Sequence, residues 1–208
     1  MVDHSEDRAP GSAQVELATQ KDLAPIADAL QDAFFDDPVM SWILRDERSR
    51  PRRLTGLFGV LLRAHYLPLG TVWTTPGNTG GALWAPPGQA IIPTTKVVRH
   101  LPSILRALGP HSLRALRALT HVERQHPKEP HWYLGVLGTR VAHQAKGVGS
   151  ALLSPVLDQC DESGLPAYLE SSKHSNIAFY HRHGFELTGE IQLPLGGPPV
   201  WPMWRDPR

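Results

Sequence analysis

Apolar positions along the chain switch between a period of two and a period near 3.6, and each switch marks an element. "QVELAT" at 14–19 alternates like a first strand. "TQKD" at 19–22 then opens a helix, with Thr19 as N-cap and Asp22 in the place where a capping box usually carries Glu or Gln. That helix is expected to reach about Phe34, where "DDP" at 36–38 breaks it and "VMSWILR" forms a short helix or turn. Pro51 suits the first turn of the next helix, and Leu54, Leu57, Phe58, Leu61 and Leu62 recur at helical spacing after it. "TVWTT" at 71–75 and "GGALWA" at 80–85 are short strands joined through the turn signal "PGN", and "PPGQ" at 86–89 ends the hairpin.

Residues 93–126 form a second helical region, broken near Gly109-Pro110. Leu101, Leu105 and Leu108 share one face, then Leu113, Leu116 and Leu119, with Arg106, Arg114, Arg117 and Arg124 around them. A basic amphipathic stripe suits a membrane surface. It equally suits a core-facing apolar stripe with a solvated arginine face, the common pattern of helices in soluble proteins, and that reading is adopted.

The C-terminal third is the clearest. A strand at 131–138, "HWYLGVLG", enters the loop "HQAKGVGS" at 143–150, and a helix follows from about 147 to 163, with Gly164 in the C-cap place. "PAYLE" at 166–170 is a strand. "NIAFYHRH" at 176–183 is a helix closed by Gly184, and "FELTGEIQL" and "VWPMWR" are closing strands around a Pro/Gly linker. Strands and helices thus alternate in an α/β (α+β) pattern.

Length adds one bound: 208 residues suffice for a single domain, taken as 13–208, after a charged tail at 1–12 that is expected to be disordered. That tail lacks the apolar stretch of a secretory signal, and no run approaches a membrane span. A net charge of +1 gives no reason to expect nucleic acid. Cys160 is the only cysteine, which forbids an internal disulfide and fits a cytoplasmic protein. It lies in a helical pattern without a nearby base and reads as a core thiol. His181 and His183 are two apart and do not share a helix face. His111, His121, His126 and His131 show no ligand spacing, so no metal site is expected.

The loop at 143–150 carries the chemistry. The first amides of a helix have no internal partner, and the macrodipole favours negative charge there. Gly147 and Gly149 let a bulky anion approach the backbone, and Lys146 adds charge. The spacing is neither a P-loop nor a dinucleotide fingerprint. Close packing of helix on strand is the other reading of the same glycines. Downstream, Glu170 ends a strand, and Asn176 and Tyr180 are four apart on one helix face. A tyrosine hydroxyl at that place can act as a general acid, or the ring can simply pack.

Gln144-Ala145-Lys146-Gly147-Val148-Gly149 matches a Q/R-x-x-G-x-G/A signature, and "LES…N…FYHRHGF" follows at 169–185. With these motifs the chain strongly resembles the GCN5-related N-acetyltransferases, and within them it is similar to the puromycin-acetylating type. The likeness is dense over 126–208 and loose over 13–125. It implies the fold of that family: a central mixed, mostly antiparallel twisted sheet of about seven strands, flanked by helices, with extra helices inserted before the cofactor-binding strand. It implies acetyl-CoA as donor. Leu137, Gly138, Thr139, Arg140 and Val141 would line the cofactor, the last three meeting pantetheine through the backbone. Gln144, Ala145, Lys146, Gly147, Val148, Gly149 and Ser150 would take the pyrophosphate, and Asn176 would bond the cofactor from its other side. Tyr180 would protonate the departing thiolate. Three positions depart from the family pattern: Ala145 stands where glycine is usual, Val141 where proline is common and Thr139 where valine is.

Direct transfer needs no enzyme nucleophile. Glu170 is the candidate base or ammonium anchor, with a relayed water as the other route. Phe34, Asp37, Trp42, Tyr66 and Trp84 are candidate acceptor-wall residues, since aromatics with one carboxylate suit an amphipathic amine. The expected activity is acetyl transfer to a primary amine of a small molecule, as in antibiotic resistance of the puromycin type. The expected protein is a cytoplasmic monomer or homodimer with no nucleic acid or membrane partner. A peptide or protein N-acetyltransferase and a non-catalytic acyl-CoA-binding regulator remain as other classes.

Overall fold

The computed structural model describes residues 13–208, so the tail expected at 1–12 lies outside the described residues. Strand β1 (Glu16–Leu17) is shorter than the alternation over 14–19 suggests, because it is an edge strand that pairs with β2 (Val72–Thr74) at only two positions. The Thr19 N–H donates to Asp22 Oδ2 at 2.9 Å, as a capping box requires, ahead of α1 (Leu23–Ala33). Helix α2 (Pro38–Ile43) is capped by Asp37, whose Oδ1 accepts from the N–H groups of Val39 and Met40, both at 3.0 Å. Helix α3 (Arg50–Leu61) runs on through a π-helical turn at Leu62–Tyr66 into the short α4 (Leu67–Leu69).

Strand β3 (Gly80–Ala85) leads to the two inserted helices, α5 (Thr94–Leu108) and α6 (Ser112–Glu123), broken at Gly109–His111 where the sequence places the break. Then come β4 (Trp132–Thr139), α7 (Val148–Ser163), β5 (Ala167–Ser171) and α8 (Ile177–Arg182). The chain closes with β6 (Glu186–Leu187), β7 (Ile191–Gln192) and β8 (Pro199–Arg205). "FELTGEIQL" is therefore two short strands, both laid against β8.

The sheet order is β1-β2-β3-β4-β5-β8-β6, with β7 also on β8. Among the described residues only β4 and β5 pair in parallel. The result is the mostly antiparallel mixed sheet that was expected, with one strand more than the expected seven. One face is covered by α7 through Leu152, Leu153, Val156, Leu157 and Cys160, packed with Trp84, Leu134, Tyr180 and Phe185. The opposite face is covered by α1 and α3 through Ile26, Leu30, Leu54 and Phe58, packed with Leu83 and Val136. Among the described residues no helix is long and apolar enough to cross a membrane.

One irregularity shapes the middle of the sheet. Leu83 pairs with Val136 and Trp84 with Leu134, so Gly135 is an extra residue with no partner on β3. A one-residue insertion flips every later side chain to the other face. Here it keeps Leu83 and Val136 together on the α1 face, and Trp84 and Leu134 together on the α7 face.

The leucine stripe of α5 and α6 does not face a filled core, which corrects the expectation. Leu101, Leu105, Leu113, Leu116 and Leu119 are 42–59% exposed, and Leu108 alone of the six is buried. Helix α5 meets α3 at its C-terminal end, where Ala107 lies 3.4 Å from the place a Cβ would take on Gly56. The remaining leucines turn toward an open apolar cavity.

Candidate active site

The site follows from where two parallel strands part. β4 and β5 pair only at Trp132–Ala167, Tyr133–Tyr168 and Leu134–Leu169. Beyond these, β4 continues against β3 to Thr139, and β5 continues against β8 to Ser171. The splay opens a cleft of about 550 Å³ between their C-terminal ends. The end of β4, the loop and first turn of α7, the start of the β5–α8 loop, and Asn176, Phe179 and Tyr180 line it.

Most of the residues assigned to the cofactor come together in the lining of this cleft. Leu137, Gly138, Thr139, Gln144, Ala145, Gly147, Val148, Gly149, Ser150 and Asn176 line it. Arg140, Val141 and Lys146 do not. The Arg140 guanidinium is held by Asp28 at 2.7 Å, the Val141 N–H donates to Asp32 Oδ2 at 2.8 Å, and Lys146 Nζ donates to the Ala142 carbonyl at 2.8 Å. Gln144 Nε2 donates to the Thr139 carbonyl at 3.0 Å, so this side chain braces the loop instead of pointing into it. Gly147 adopts φ +79°, a left-handed conformation, and a side chain there would meet open space. Ala145 also has positive φ, +58°, so its Cβ sits where the backbone favours glycine. The cradle fits a pyrophosphate: the unpaired first amides of a sixteen-residue helix border an open cleft.

Tyr180 is buried and lines the cleft, while Phe179 is only partly buried, the reverse of the simplest helix-face assignment. Burial, aided by the charge of Asp37, holds the Tyr180 hydroxyl well above the ordinary phenol range, so it stays protonated. Asp37 has a structural task besides its place in the cleft wall. Its Oδ2 accepts a very short hydrogen bond from the Ser172 hydroxyl, which ties α2 to the end of β5. Burial raises the Asp37 carboxyl above its ordinary value.

Glu170 lies at the mouth of the splay with its side chain 7% exposed. The Tyr133 hydroxyl donates to Glu170 Oε2 at 2.9 Å. Oε1 has no hydrogen-bond partner and faces His126 Nδ1 at 3.5 Å. The other His126 nitrogen lies 3.1 Å from His131 Nε2, and His131 Nδ1 lies 2.6 Å from the Glu129 carbonyl. A carbonyl only accepts, so His131 donates through Nδ1. Burial depresses the pKa of His131. A neutral His131 then accepts at Nε2 from His126, which leaves His126 Nδ1 as the ring atom that faces Glu170 Oε1.

Of the acceptor-wall candidates, Phe34 and Asp37 line the cleft. Tyr66 lines a second cavity, and a Cβ on Gly135 would collide with its hydroxyl. Trp42 and Trp84 line neither. Trp84 is fully buried, because its position on β3 points at α7. Trp42 packs beneath the Arg114 guanidinium, 5.4 Å from its ring centroid. Sequence reasoning missed His126, His131 and Tyr133 as neighbours of Glu170. Tyr168 and Glu170, two apart on β5, share a sheet face, and Tyr133 pairs with Tyr168 once the register is known. Cys160 is buried with its thiol pushed up to about 12 by that burial, which suits packing and not nucleophilic attack. Among the described residues no cluster of histidine, cysteine and carboxylate side chains is arranged to hold a metal ion.

Known proteins resemble this chain in sequence and fold. The profile of the acetyltransferase (GNAT) family matches residues 115–185. A Schizosaccharomyces pombe protein named an uncharacterized N-acetyltransferase is 30% identical over 184 residues, covering 83% of this chain and 74% of its own length. The chain belongs to the GNAT family of acetyltransferases. A solved structure from Corynebacterium glutamicum, described as histone acetyltransferase HPA2 and related acetyltransferase, is 29% identical. It covers 95% of this chain and 97% of its own, with a TM-score of 0.71. Arylalkylamine N-acetyltransferase 2 from Aedes aegypti shares the fold alone, at 13% identity and a TM-score of 0.56 over 94% of this chain and 99% of its own. GNAT proteins generally use acetyl-CoA, and the chain is an acyltransferase by family.

Proposed function

We propose that this protein moves an acetyl group from acetyl-CoA to a primary amine of a small molecule by direct transfer. The observation that carries the reading is the splay itself. A cleft bordered by helix-start amides has Tyr180 in its wall, and Glu170 stands where that cleft meets the second cavity. Acetyl-CoA supplies the acetyl group as a thioester, so that the amine nitrogen gains the C–N bond as the C–S bond breaks. The amides of Val148, Gly149 and Ser150 hold the pyrophosphate, and Asn176 bonds the cofactor from the α8 side. Glu170 Oε1 takes the ammonium proton and passes it to His126 Nδ1. As the tetrahedral adduct collapses, the nitrogen loses its second proton to solvent, and the Tyr180 hydroxyl gives its proton to the thiolate and recovers one from solvent. With the ammonium proton passed on through His126, the net release is one proton. Glu170 and Tyr180 lie in different parts of the cleft lining, on β5 and α8, as separate base and acid roles require.

The sequence likeness suggests an antibiotic amine of the puromycin type as acceptor, and the lone buried Cys160 accords with a reducing cytoplasm. A thiol-release assay with acetyl-CoA tests the reading. The panel is puromycin, aminoglycosides, polyamines, arylalkylamines and a basic peptide, with product mass for each hit. Acetylation of a small amine supports it. Activity on the peptide alone moves the assignment to a protein N-acetyltransferase. Tight CoA binding with no turnover moves it to a regulator.

A further inference from the structure

The open cavity under α5 and α6 is unused by the transfer chemistry. It measures about 690 Å³, within the range of small-molecule sites. Leu101 and Leu105 of α5 and Leu113, Leu116 and Leu119 of α6 form its apolar walls. Each is 42–59% exposed, an arrangement that costs hydrophobic free energy unless something covers it.

Three further features select an occupant. First, the cavity abuts the transfer cleft, since Gly135, Val136 and Glu170 line both. Second, the carboxylates in its lining are Glu123, at the end of α6, and Glu170, at the sheet. Third, Glu170 Oε1 is a buried acceptor without a hydrogen-bond donor, on a side chain 93% buried. An apolar chamber with an unpaired carboxylate oxygen where it meets the transfer cleft is complementary to an apolar body ending in an ammonium group.

Resting on the proposed transfer activity, we propose that the acceptor is a lipophilic primary amine, alkyl or arylalkyl. Its apolar body lies against the α5–α6 leucines and its nitrogen on Glu170. The acceptor walls are then the leucine stripe, with Tyr66 and Gly135 near the transfer point, in place of the aromatic set read from sequence. A hydrophilic polyamine is a poorer fit, because its further ammonium groups would lie among leucines, with Glu123 the one other carboxylate in the lining.

The test is a homologous series of n-alkylamines from ethylamine to octylamine, with phenethylamine and spermidine, assayed on the full chain with acetyl-CoA. The expected result is a rise in kcat/KM of about fourfold per added methylene until the cavity is filled, with spermidine poorest. Leu116→Gln, on an exposed helix position, is expected to flatten that series. Calorimetry of each amine in the presence of CoA gives a second readout that needs no turnover. Chain-length-dependent binding with no product would keep the cavity assignment and defeat the transfer reading. Turnover of amines with a flat series would do the reverse. Two other outcomes overturn the proposal. Leu116→Gln turns a dimer into a monomer in sedimentation while the series is unchanged, which makes the face an interface between copies. Or it abolishes binding to anionic phospholipid vesicles with the series unchanged, which makes it a membrane surface.

Discussion

The Tyr133 hydroxyl donates to Glu170 Oε2 across two strands that have just ceased to pair, their last shared position being Leu134–Leu169. That bond fixes one carboxylate oxygen and leaves the other for the proposed base role. Glu170→Gln keeps the shape and removes the basic oxygen. It is expected to lower kcat/KM at neutral pH by about 10²–10⁴-fold. The deficit should shrink as pH rises, because solvent then deprotonates the amine. Tyr133→Phe is expected to cost less, about tenfold, since it loosens the carboxylate without removing it. Steady-state kinetics across pH on both variants and the parent check this; a pH-independent deficit in Glu170→Gln would contradict the base assignment.

Tyr180 is held protonated by burial and by the charge of Asp37, so the acid role proposed for it does not titrate away in the neutral or mildly alkaline range. Tyr180→Phe removes only the hydroxyl and is expected to lower kcat by about 10²-fold or more with little change in the affinity for CoA. Replacing acetyl-CoA by a thioester with a more acidic leaving thiol should restore part of the rate. Equal loss on both donors would mean the hydroxyl is not the acid.

Ala145 holds φ +58° in the loop that borders the cleft. A left-handed conformation costs a residue with a Cβ about 1 kcal/mol or more. Ala145→Gly relieves it but frees the unfolded chain, which offsets part of the gain. The expected net is a stabilisation of up to about 1 kcal/mol, read as a rise in Tm of about 2–4 °C in a chain of this size. Calorimetric scans of the two proteins decide it, and a lower Tm in the glycine variant would show that the loop is not strained.

His65 and His131 are both depressed below 6.5 by burial. Between their folded values and 6.5 the unfolded chain binds more protons than the folded one, so stability rises with pH through that window and is complete above it. Asp37, raised above 3.8, has the opposite sign in its own more acidic window. Tm is therefore expected to fall on acidification through about pH 6 and below. His65→Leu, whose ring nitrogens are buried without partners, should reduce that slope. Scans at a series of pH values measure it, and an unchanged slope would show that His65 does not titrate with unfolding.

Much of the chain's local structure was legible in the sequence. The Thr19–Asp22 cap, the break at Gly109, the loop before α7 and the glycine that ends it all lie where the sequence puts them. Caps, turns and periodicity involve residues within a few positions of each other, so they survive without knowledge of the fold. One wall of the cleft follows for the same reason, since the loop and the first turn of α7 that line it are contiguous in sequence.

What sequence alone left open is non-local. The leucine stripe of α5 and α6 shows that one face is apolar, but not whether side chains or a cavity lie opposite; that depends on how α5 rests on α3 at Gly56 and Ala107. Trp84 and Tyr66 look alike as candidate wall residues, yet sheet register sends Trp84 into the core and the bulge at Gly135 admits the Tyr66 hydroxyl. Asp37 meets Ser172 across 135 positions, and His126 reaches Glu170 from the end of an inserted helix. The family and one wall of the cleft were thus written in short local motifs. The partners of Glu170 and the shape of the cavity under α5 and α6 were decided by strand pairing and helix packing, whose geometry no short stretch of chain contains.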